Sequence, residues 1–407
     1  MVDSVLGDEG SLVEGEAEGE KSVYESLEVG SVEVSVVIPS LNEAESIGEC
    51  IERVKEAFVK CGVEGEVVVA DNSDDETPEI ARSLGARVVT PDRRGYGYAY
   101  HYGIKHARGK YIVIGDADGT YDFLEMPKLL EPLMNGEADI VVGSRFKGEI
   151  KRDAMPWLHR HVGNPVLTRF LNFFFKAGVS DAHSGFRALR REVLERLNLK
   201  ACGMEYASEM IMKAAVEGLK IKEVPITYYP RRAGKSKLSS FQDGWRHLRF
   251  MLLHAPTYLY IFPGLAFTVL GLLLMAFTFF EVYLGYTPGL HSMILGSFGV
   301  VVGAQLVFLG LFAKIYGIKT RICHGDRFTN AVLKRLTLER GALTGLTLFL
   351  VGFAYSLHLV SIWFFTGFKT LPLKGQDMIA FTLMTIGLQI FFNSFYLSMM
   401  SSALNEG

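Results

Sequence analysis

The sequence predicts an α/β domain with a mostly parallel sheet, followed by four transmembrane helices. Three observations predict it. Short Val- and Ile-rich runs alternate with stretches of helical periodicity from Val34 to Tyr229, the pattern of βαβ units. Several of those runs stop at clusters of Asp, Asn, Gly or Ser. From about Tyr258 the chain is mostly apolar, in four stretches that each exceed the ~20 residues needed to cross a bilayer.

The chain has 407 residues and a net charge of −3. Residues 1–32 are acidic, with neither a basic start nor an apolar core of signal-peptide length. Low hydrophobicity with excess charge predicts a disordered tail. Val34–Ile38 is a strand run that ends at Pro39. Ile47, Ile51, Val54, Ala57 and Phe58 then recur at helical spacing. Glu66–Ala70 is the second strand, ending in Asp71-Asn72-Ser73. Thr77-Pro78 opens a helix, because proline fits the first turn. Arg87–Val89 is a short third strand, and Gly95-X-Gly97 leads a helix through Tyr98–Ala107. Tyr111–Ile114 is the fourth strand, and Ala138–Val142 is another that ends in Gly143-Ser144-Arg145-Phe146. Lys151–Phe175 is basic and aromatic. A tight turn around Asp181, Ser184, Gly185 and Arg187 is expected to enter a helix. Glu205–Ala215 reads as helix and Ile221–Tyr229 as the last strand.

The chemistry concentrates in YIVIGDADGTYD, Tyr111–Asp122. Asp116 and Asp118 lie one residue apart just past a strand. They can offer oxygens to one hard divalent cation, Mg2+ or Mn2+, with phosphates completing its shell. Open α/β sheets bind ligands at the carboxyl ends of their strands. Asn42, Glu43, Asp71 and Asn72 stand at two further such ends. A carboxylate such as Asp71 can accept from the N–H edge of a uracil or guanine. The Gly95 motif lacks the third glycine of a dinucleotide fingerprint, which argues against NAD. Arg145 can clamp a phosphate with two donors. Pro230–Lys237 carries four cations and a glycine. It suits a pyrophosphate or lipid phosphate, and equally a cluster that attracts anionic headgroups.

Phe241, Trp245, Leu248, Leu252 and Leu253 make one apolar face of Phe241–His254. Basic residues and Trp on such a helix suggest that it lies in the membrane interface. The spans are expected at about Tyr258–Tyr283, Met293–Tyr316, Leu343–Phe368 and Met378–Met400. Lys314, Lys319, Arg321, Arg327, Lys334, Arg335 and Arg340 crowd the connection between the second and third. Positive charge marks cytoplasmic loops, so both termini and the α/β domain are expected in the cytoplasm. Gly299-X-X-X-Gly303 and Gly341-X-X-X-Gly345 permit close helix packing. The boundaries expected are a tail at 1–32, a catalytic domain at 33–238, an interfacial helix at 239–256 and a four-helix region at 257–407. The charge balance gives no reason to expect nucleic-acid binding. Four scattered cysteines without a Cys-X-X-Cys pair argue against a zinc ribbon or a disulfide framework. Few ionisable residues in the spans disfavour a transporter.

Taken together the motifs resemble the family-2, GT-A-type glycosyltransferases that charge polyprenyl phosphates. The matching pieces are VVIPSLNEAESI (Val36–Ile47), ADNSDDET (Ala70–Thr77), the stretch Arg93–Gly119, GSRF (Gly143–Phe146), SDAHSGFRAL (Ser180–Leu189) and RRAGKSKL (Arg231–Leu238), in family order. The resemblance implies a nucleotide-sugar pocket lined by Pro39, Leu41, Glu43, Asp71, Asn72, Gly95 and Ala117. It implies that Asp116 and Asp118 hold the cation against the donor diphosphate. It further implies that Arg145, Arg232, Lys235, Ser236 and Lys237 meet phosphates of donor or acceptor, and that Asp181 and Ser184 shape the sugar or acceptor site. Dolichol-phosphate mannose synthases usually read Asp-Ala-Asp-Leu-Gln, whereas Gly119 and Thr120 stand here. Asp-Ala-Asp-Gly with Asp122-Phe123 is more similar to dolichyl-phosphate glucosyltransferases, so UDP-glucose is favoured over GDP-mannose. The reaction implied is inverting transfer of a hexose to a polyprenyl or dolichyl phosphate at a lipid bilayer. That acceptor is largely ionised at neutral pH, its second pKa being ~6, so no dedicated base is required. The rivals are a processive polysaccharide synthase of the same fold and a non-catalytic membrane scaffold.

Overall fold

The computed structural model describes residues 32–232, 240–283, 285–319, 329, 331–332, 335, 337–369 and 371–405. The chain divides into two compact units. The first takes in the residues up to Asn164, Val179–Ala207 and Leu219–Leu238; the second takes in Pro165–Gly178, Ser208–Gly218 and Ser239–Gly407.

The first unit is built on seven strands: β1 (Val34–Ser40), β2 (Gly65–Asp71), β3 (Arg87–Val89), β4 (Tyr111–Ile114), β5 (Ile140–Ile150), β6 (Arg187–Arg190) and β7 (Ile221–Tyr228). Their order is β3-β2-β1-β4-β6-β5-β7. β1 runs parallel to both β2 and β4, β2 to β3, and β5 to β7. From β1 the chain therefore winds outward through β2 and β3, then crosses back to β4 on the other side. That reversal brings the carboxyl ends of β1, β2 and β4 together, which is where open sheets place ligands.

Both faces of the central strands are covered, so they read as unbroken apolar runs. Val34, Val36 and Ile38 point one way, into a core with Ile47, Ile51 and Val54 of α1 (Ala44–Cys61). Val37 points the other way, against α3 (Tyr96–His106), which follows α2 (Thr77–Ser83). Gly103 lets that helix approach: a Cβ there would meet Val37 at 2.6 Å. α4 (Met126–Met134) adds Met126, Leu129, Leu130 and Leu133 to the first core. Each such fully buried side chain stabilises the fold by about 1.5–3 kcal/mol.

One element differs from the sequence expectation. The residues after the Asp181 turn do not enter a helix; Arg187–Arg190 is β6, antiparallel to β4 and to β5, and α6 (Arg191–Leu197) starts only after it. Between β4 and β5 a short strand pairs backbone groups that both edges would otherwise leave open. That gain outweighs local propensity.

The second unit includes most of α5 (Asn164–Phe175) and α7 (Tyr206–Val216), then α8 (Ser240–Leu253), α9 (Phe262–Phe279), α10 (Leu290–Lys319), α11 (Leu338–Phe365) and α12 (Gly375–Asn405). Among the described residues four helical stretches are long and apolar enough to cross a membrane: Thr257–Phe279, Leu290–Lys319, Leu338–Phe365 and Gly375–Ser401. α9 packs along α10, α11 along α12, and α10 against α12. The contacts are made by glycines seven residues apart. A Cβ on Gly264 or Gly271 would lie 2.8 or 2.6 Å from the carbonyl oxygen of Gly303 or Gly296. Gly345 and Gly387 face each other in the same way, at 2.6 Å. Gly299, half of the expected four-residue motif, is looser, with Phe267 O at 3.2 Å. On α8 His247, bonded to Ser208 at 2.8 Å, and Met251 are buried. Trp245 and Leu253 of the expected apolar face stand exposed.

Candidate active site

β4 ends at Ile114, and the next two carboxylates are held differently. Asp116 Oδ1 accepts from the Tyr96 hydroxyl at 2.9 Å and the Tyr100 hydroxyl at 3.2 Å, both on α3. Burial, and then the Asp116 charge, keeps these phenols protonated and therefore donors. The other oxygen, Oδ2, packs against Gly185, where a Cβ would come within 2.7 Å of it. Burial pushes the Asp116 carboxyl up to about 6, and the Asp118 charge adds to the rise; the two tyrosines and Arg145 oppose it. Asp118 Oδ1 accepts from the Thr120 amide at 3.1 Å and the Thr120 hydroxyl at 2.6 Å. Between them Gly119 turns the chain with φ +73°, in the left-handed region that favours glycine. Thr120 thus folds back on Asp118.

The end of β2 is tied to the end of β1. Asp71 is 3% exposed and accepts from Ser40 Oγ at 2.6 Å, from Ser73 Oγ at 2.5 Å and from the Ser73 amide at 3.0 Å. Asn72 donates to Pro91 O at 2.7 Å. Pro39 sits on β1, Leu41 just after it, and the Glu43 amide donates to Thr77 Oγ1 at 3.0 Å. Gly95 gains a packing reason, since a Cβ there would strike Cys202 O at 2.7 Å. Ala117 is buried and its carbonyl receives the Cys50 thiol at 3.5 Å. Burial pushes that thiol up to about 12, so it stays neutral beneath the aspartate loop.

Arg145 stands where β5 leaves its ladder, in the irregular stretch between Ser144 and Glu149. Its amide and Nε donate to Asp181 Oδ2 at 3.0 and 2.7 Å, and its Nη2 to Oδ1 at 2.8 Å. The guanidinium also lies 5.2 Å from the centre of the Tyr228 ring. Asp181 is fully buried, and both its oxygens are taken by Arg145. Ser184 is fully buried too, and its carbonyl accepts from Arg187 Nε at 2.8 Å. Arg187 also donates to the carbonyls of Ala182 and Ala207, each at 2.8 Å, and so fixes the turn that carries Gly185.

Sequence reasoning missed two residues. The side chain of Glu223 on β7 is 3% exposed, and Oε1 accepts from the Ser180 amide at 2.8 Å, the Ser180 hydroxyl at 3.0 Å and the Asp181 amide at 2.9 Å. Its Oε2 pairs with Lys147 at 2.9 Å. Arg231 bonds Glu43 Oε1 at 2.8 Å and lies 3.3 Å from Asp118 Oδ2. Arg232, the neighbour singled out from sequence, instead pairs with Glu49. Lys235, Ser236 and Lys237 lie outside the described residues. A strand-borne Glu carries no local signal, and the choice between adjacent arginines needs the third dimension.

Among the described residues no three His, Cys, Asp or Glu side chains form a cation-binding cluster. Two carboxylates alone fit a cation that draws its other ligands from water and a diphosphate.

The pattern of Glycosyl transferase family 2 matches residues 35–197, and that of the Glycosyltransferase family 2 C-terminal transmembrane region matches 311–401. The low-salt glycan biosynthesis hexosyltransferase Agl6 of Haloferax volcanii is 48% identical over 365 residues, covering 89% of this chain and 88% of that protein. The chain is a family-2 glycosyltransferase. A dolichyl-phosphate hexose transferase of the same organism is 37% identical over 217 residues, covering 52% of this glycosyltransferase and 89% of the relative. A crystal structure of glucosyl-3-phosphoglycerate synthase from Mycobacterium tuberculosis, in complex with Mn2+, uridine diphosphate and glucosyl-3-phosphoglycerate, aligns at a TM-score of 0.44 and 25% identity, over 62% of this chain and 86% of that one. The family-2 match falls on the α/β unit, which is of GT-A type with a mostly parallel sheet, and the second unit carries the membrane helices.

Proposed function

We propose that this glycosyltransferase moves a hexose from a nucleoside diphosphate sugar to a polyprenyl or dolichyl phosphate, with inversion, and that UDP-glucose is its donor in preference to GDP-mannose. The observation that carries the reading is the set of polar residues at the ends of β1, β2 and β4, where Arg231 joins Glu43 to Asp118, Ser40 bonds Asp71 and Tyr96 holds Asp116. The names of the relatives, a hexosyltransferase and a dolichyl-phosphate hexose transferase, support the substrate class.

Asp116 and Asp118 would hold a divalent cation, Mg2+ or Mn2+. When bound, it would offset negative charge that builds on the leaving diphosphate. Pro39, Leu41, Glu43, Asp71, Asn72, Gly95 and Ala117 border the donor. Arg145 supplies a buried positive charge whose direction is fixed by Asp181 and, behind it, Glu223. Preorganised charge of this kind acts without reorganising during the reaction. An acceptor phosphate already carries its negative charge, so Asp181 serves by orienting Arg145 and removes no proton. The domain boundaries at 238 and 256, the cytoplasmic placement of both termini and the role of Lys235, Ser236 and Lys237 at phosphates belong to the same proposal.

The test is a panel of UDP- and GDP-hexoses offered to membranes that contain the enzyme and dolichyl phosphate. Incorporation from UDP-glucose should exceed that from every other donor. Equal or greater transfer from GDP-mannose would overturn the donor assignment.

A further inference from the structure

Two carboxylates at the mouth of the crevice share one arginine. Nη2 of Arg231 is 2.8 Å from Glu43 Oε1, just past β1, and 3.3 Å from Asp118 Oδ2, just past β4. None of the three is open surface: their side chains are 23%, 10% and 18% exposed. Asp118 has only two oxygens. Oδ1 is committed to the Thr120 amide and hydroxyl, which close the metal loop. Oδ2, the oxygen Arg231 meets, is therefore the one left for a cation.

We infer that Arg231 is an internal stand-in for the divalent cation, displaced from Asp118 toward the donor diphosphate as the substrate binds. The inference rests on the reading of Asp118 as a metal ligand. A guanidinium and a divalent ion repel each other, so they cannot share Oδ2 unless an anion lies between them. A diphosphate is such an anion: it can accept from the guanidinium and coordinate the cation at once. Arg231 thus makes the cation bind weakly by itself and well with the nucleotide. By linkage the cation strengthens nucleotide binding by the same factor. The arrangement also prevents two adjacent acidic groups from repelling each other before the donor arrives, and it keeps a phosphate-binding arginine at the crevice. It distinguishes Arg231 from Arg232, whose partner is Glu49 on α1.

The experiment measures Mn2+ binding to the purified full-length protein in detergent, from the electron paramagnetic resonance signal of free Mn2+. It is done without nucleotide and then with UDP, with GDP as a second arm. Arg231→Ala should bind Mn2+ alone about 5-fold or more tightly than the wild type, within the usual range of coupling between sites. The nucleotide should then improve Mn2+ binding less in the variant than in the wild type. Arg231→Lys, which keeps the charge, should fall between the two and guards against a variant that fails to fold. Unchanged or weaker Mn2+ binding in folded Arg231→Ala, judged by its melting curve, would overturn the inference. Asp118→Asn is the separate control. If it binds Mn2+ as the wild type does, the metal-site reading itself fails, whatever Arg231 does.

Discussion

In the first unit, place is fixed by polar groups that grip one another; in the second, by side chains that are missing. Asp116 is held by two phenols, Arg145 by both oxygens of Asp181, and the Asp181 turn by Glu223 and Arg187. The long helices meet instead at Gly264–Gly303, Gly271–Gly296 and Gly345–Gly387, where backbones touch. The difference follows from the surroundings. In water the apolar sheet supplies the driving force, and buried hydrogen bonds then select one arrangement. Between helices in lipid that force vanishes, and close backbone packing must replace it.

The comparison breaks most visibly at the crevice. Asp118→Asn should lower transfer by about 10²–10³-fold, measured as initial rate in membranes, while the helix pairing of the second unit stays intact. A residual rate close to wild type would remove the aspartate loop from the mechanism. Next comes Glu223→Ala, which takes the acceptor from the Ser180 amide and hydroxyl, the Asp181 amide and Lys147. It should cost about 1.5–3 kcal/mol, read as a fall in kcat/KM, and Glu223→Gln should recover most of it. Equal losses for the two variants would mean that Glu223 acts otherwise than as an acceptor. In the second unit, Gly303→Leu should cost about 1–3 kcal/mol by overpacking, seen as a lower Tm in detergent. Gly299→Ala should cost less than Gly303→Ala, since its Cβ would meet Phe267 O at 3.2 Å where one on Gly303 would meet Thr268 N at 2.5 Å; the reverse order would restore the four-residue motif.

The smallest effect concerns Asp116. Its carboxyl is raised from 3.8 to about 6 by burial and by Asp118. A raised carboxyl contributes stability below its unfolded pKa and loses it as pH rises through the folded value. At pH 8 the wild type therefore carries an unfavourable buried charge. Asp116→Asn should melt about 2–4 °C higher there. The advantage should shrink through pH ~6 and be gone near pH ~4. A variant that melts lower at pH 8 would show that Tyr96 and Tyr100 already compensate the charge.

Features encoded locally were legible in the sequence. Val34–Ile38, Tyr111–Ile114 and the four apolar stretches announce themselves by composition, and Asp116 and Asp118 by their place after a strand. Features that depend on distant partners were not. β6 exists because β4 and β5 leave a slot for it, not because Arg187–Arg190 favours extension. Glu223 matters because its strand runs beside the Asp181 turn. The seven-residue glycine spacing was present in the sequence, but only the facing helix shows which glycines are used.

The most direct measurement follows labelled glucose from UDP-glucose in membranes supplied with dolichyl phosphate, and partitions the product into organic solvent. The account predicts lipid-soluble label carrying one sugar per lipid, lost with chelator, restored by Mn2+ or Mg2+, and absent in Asp118→Asn. Label that remains in water, grows into polymer, or forms equally well in chelator would contradict it.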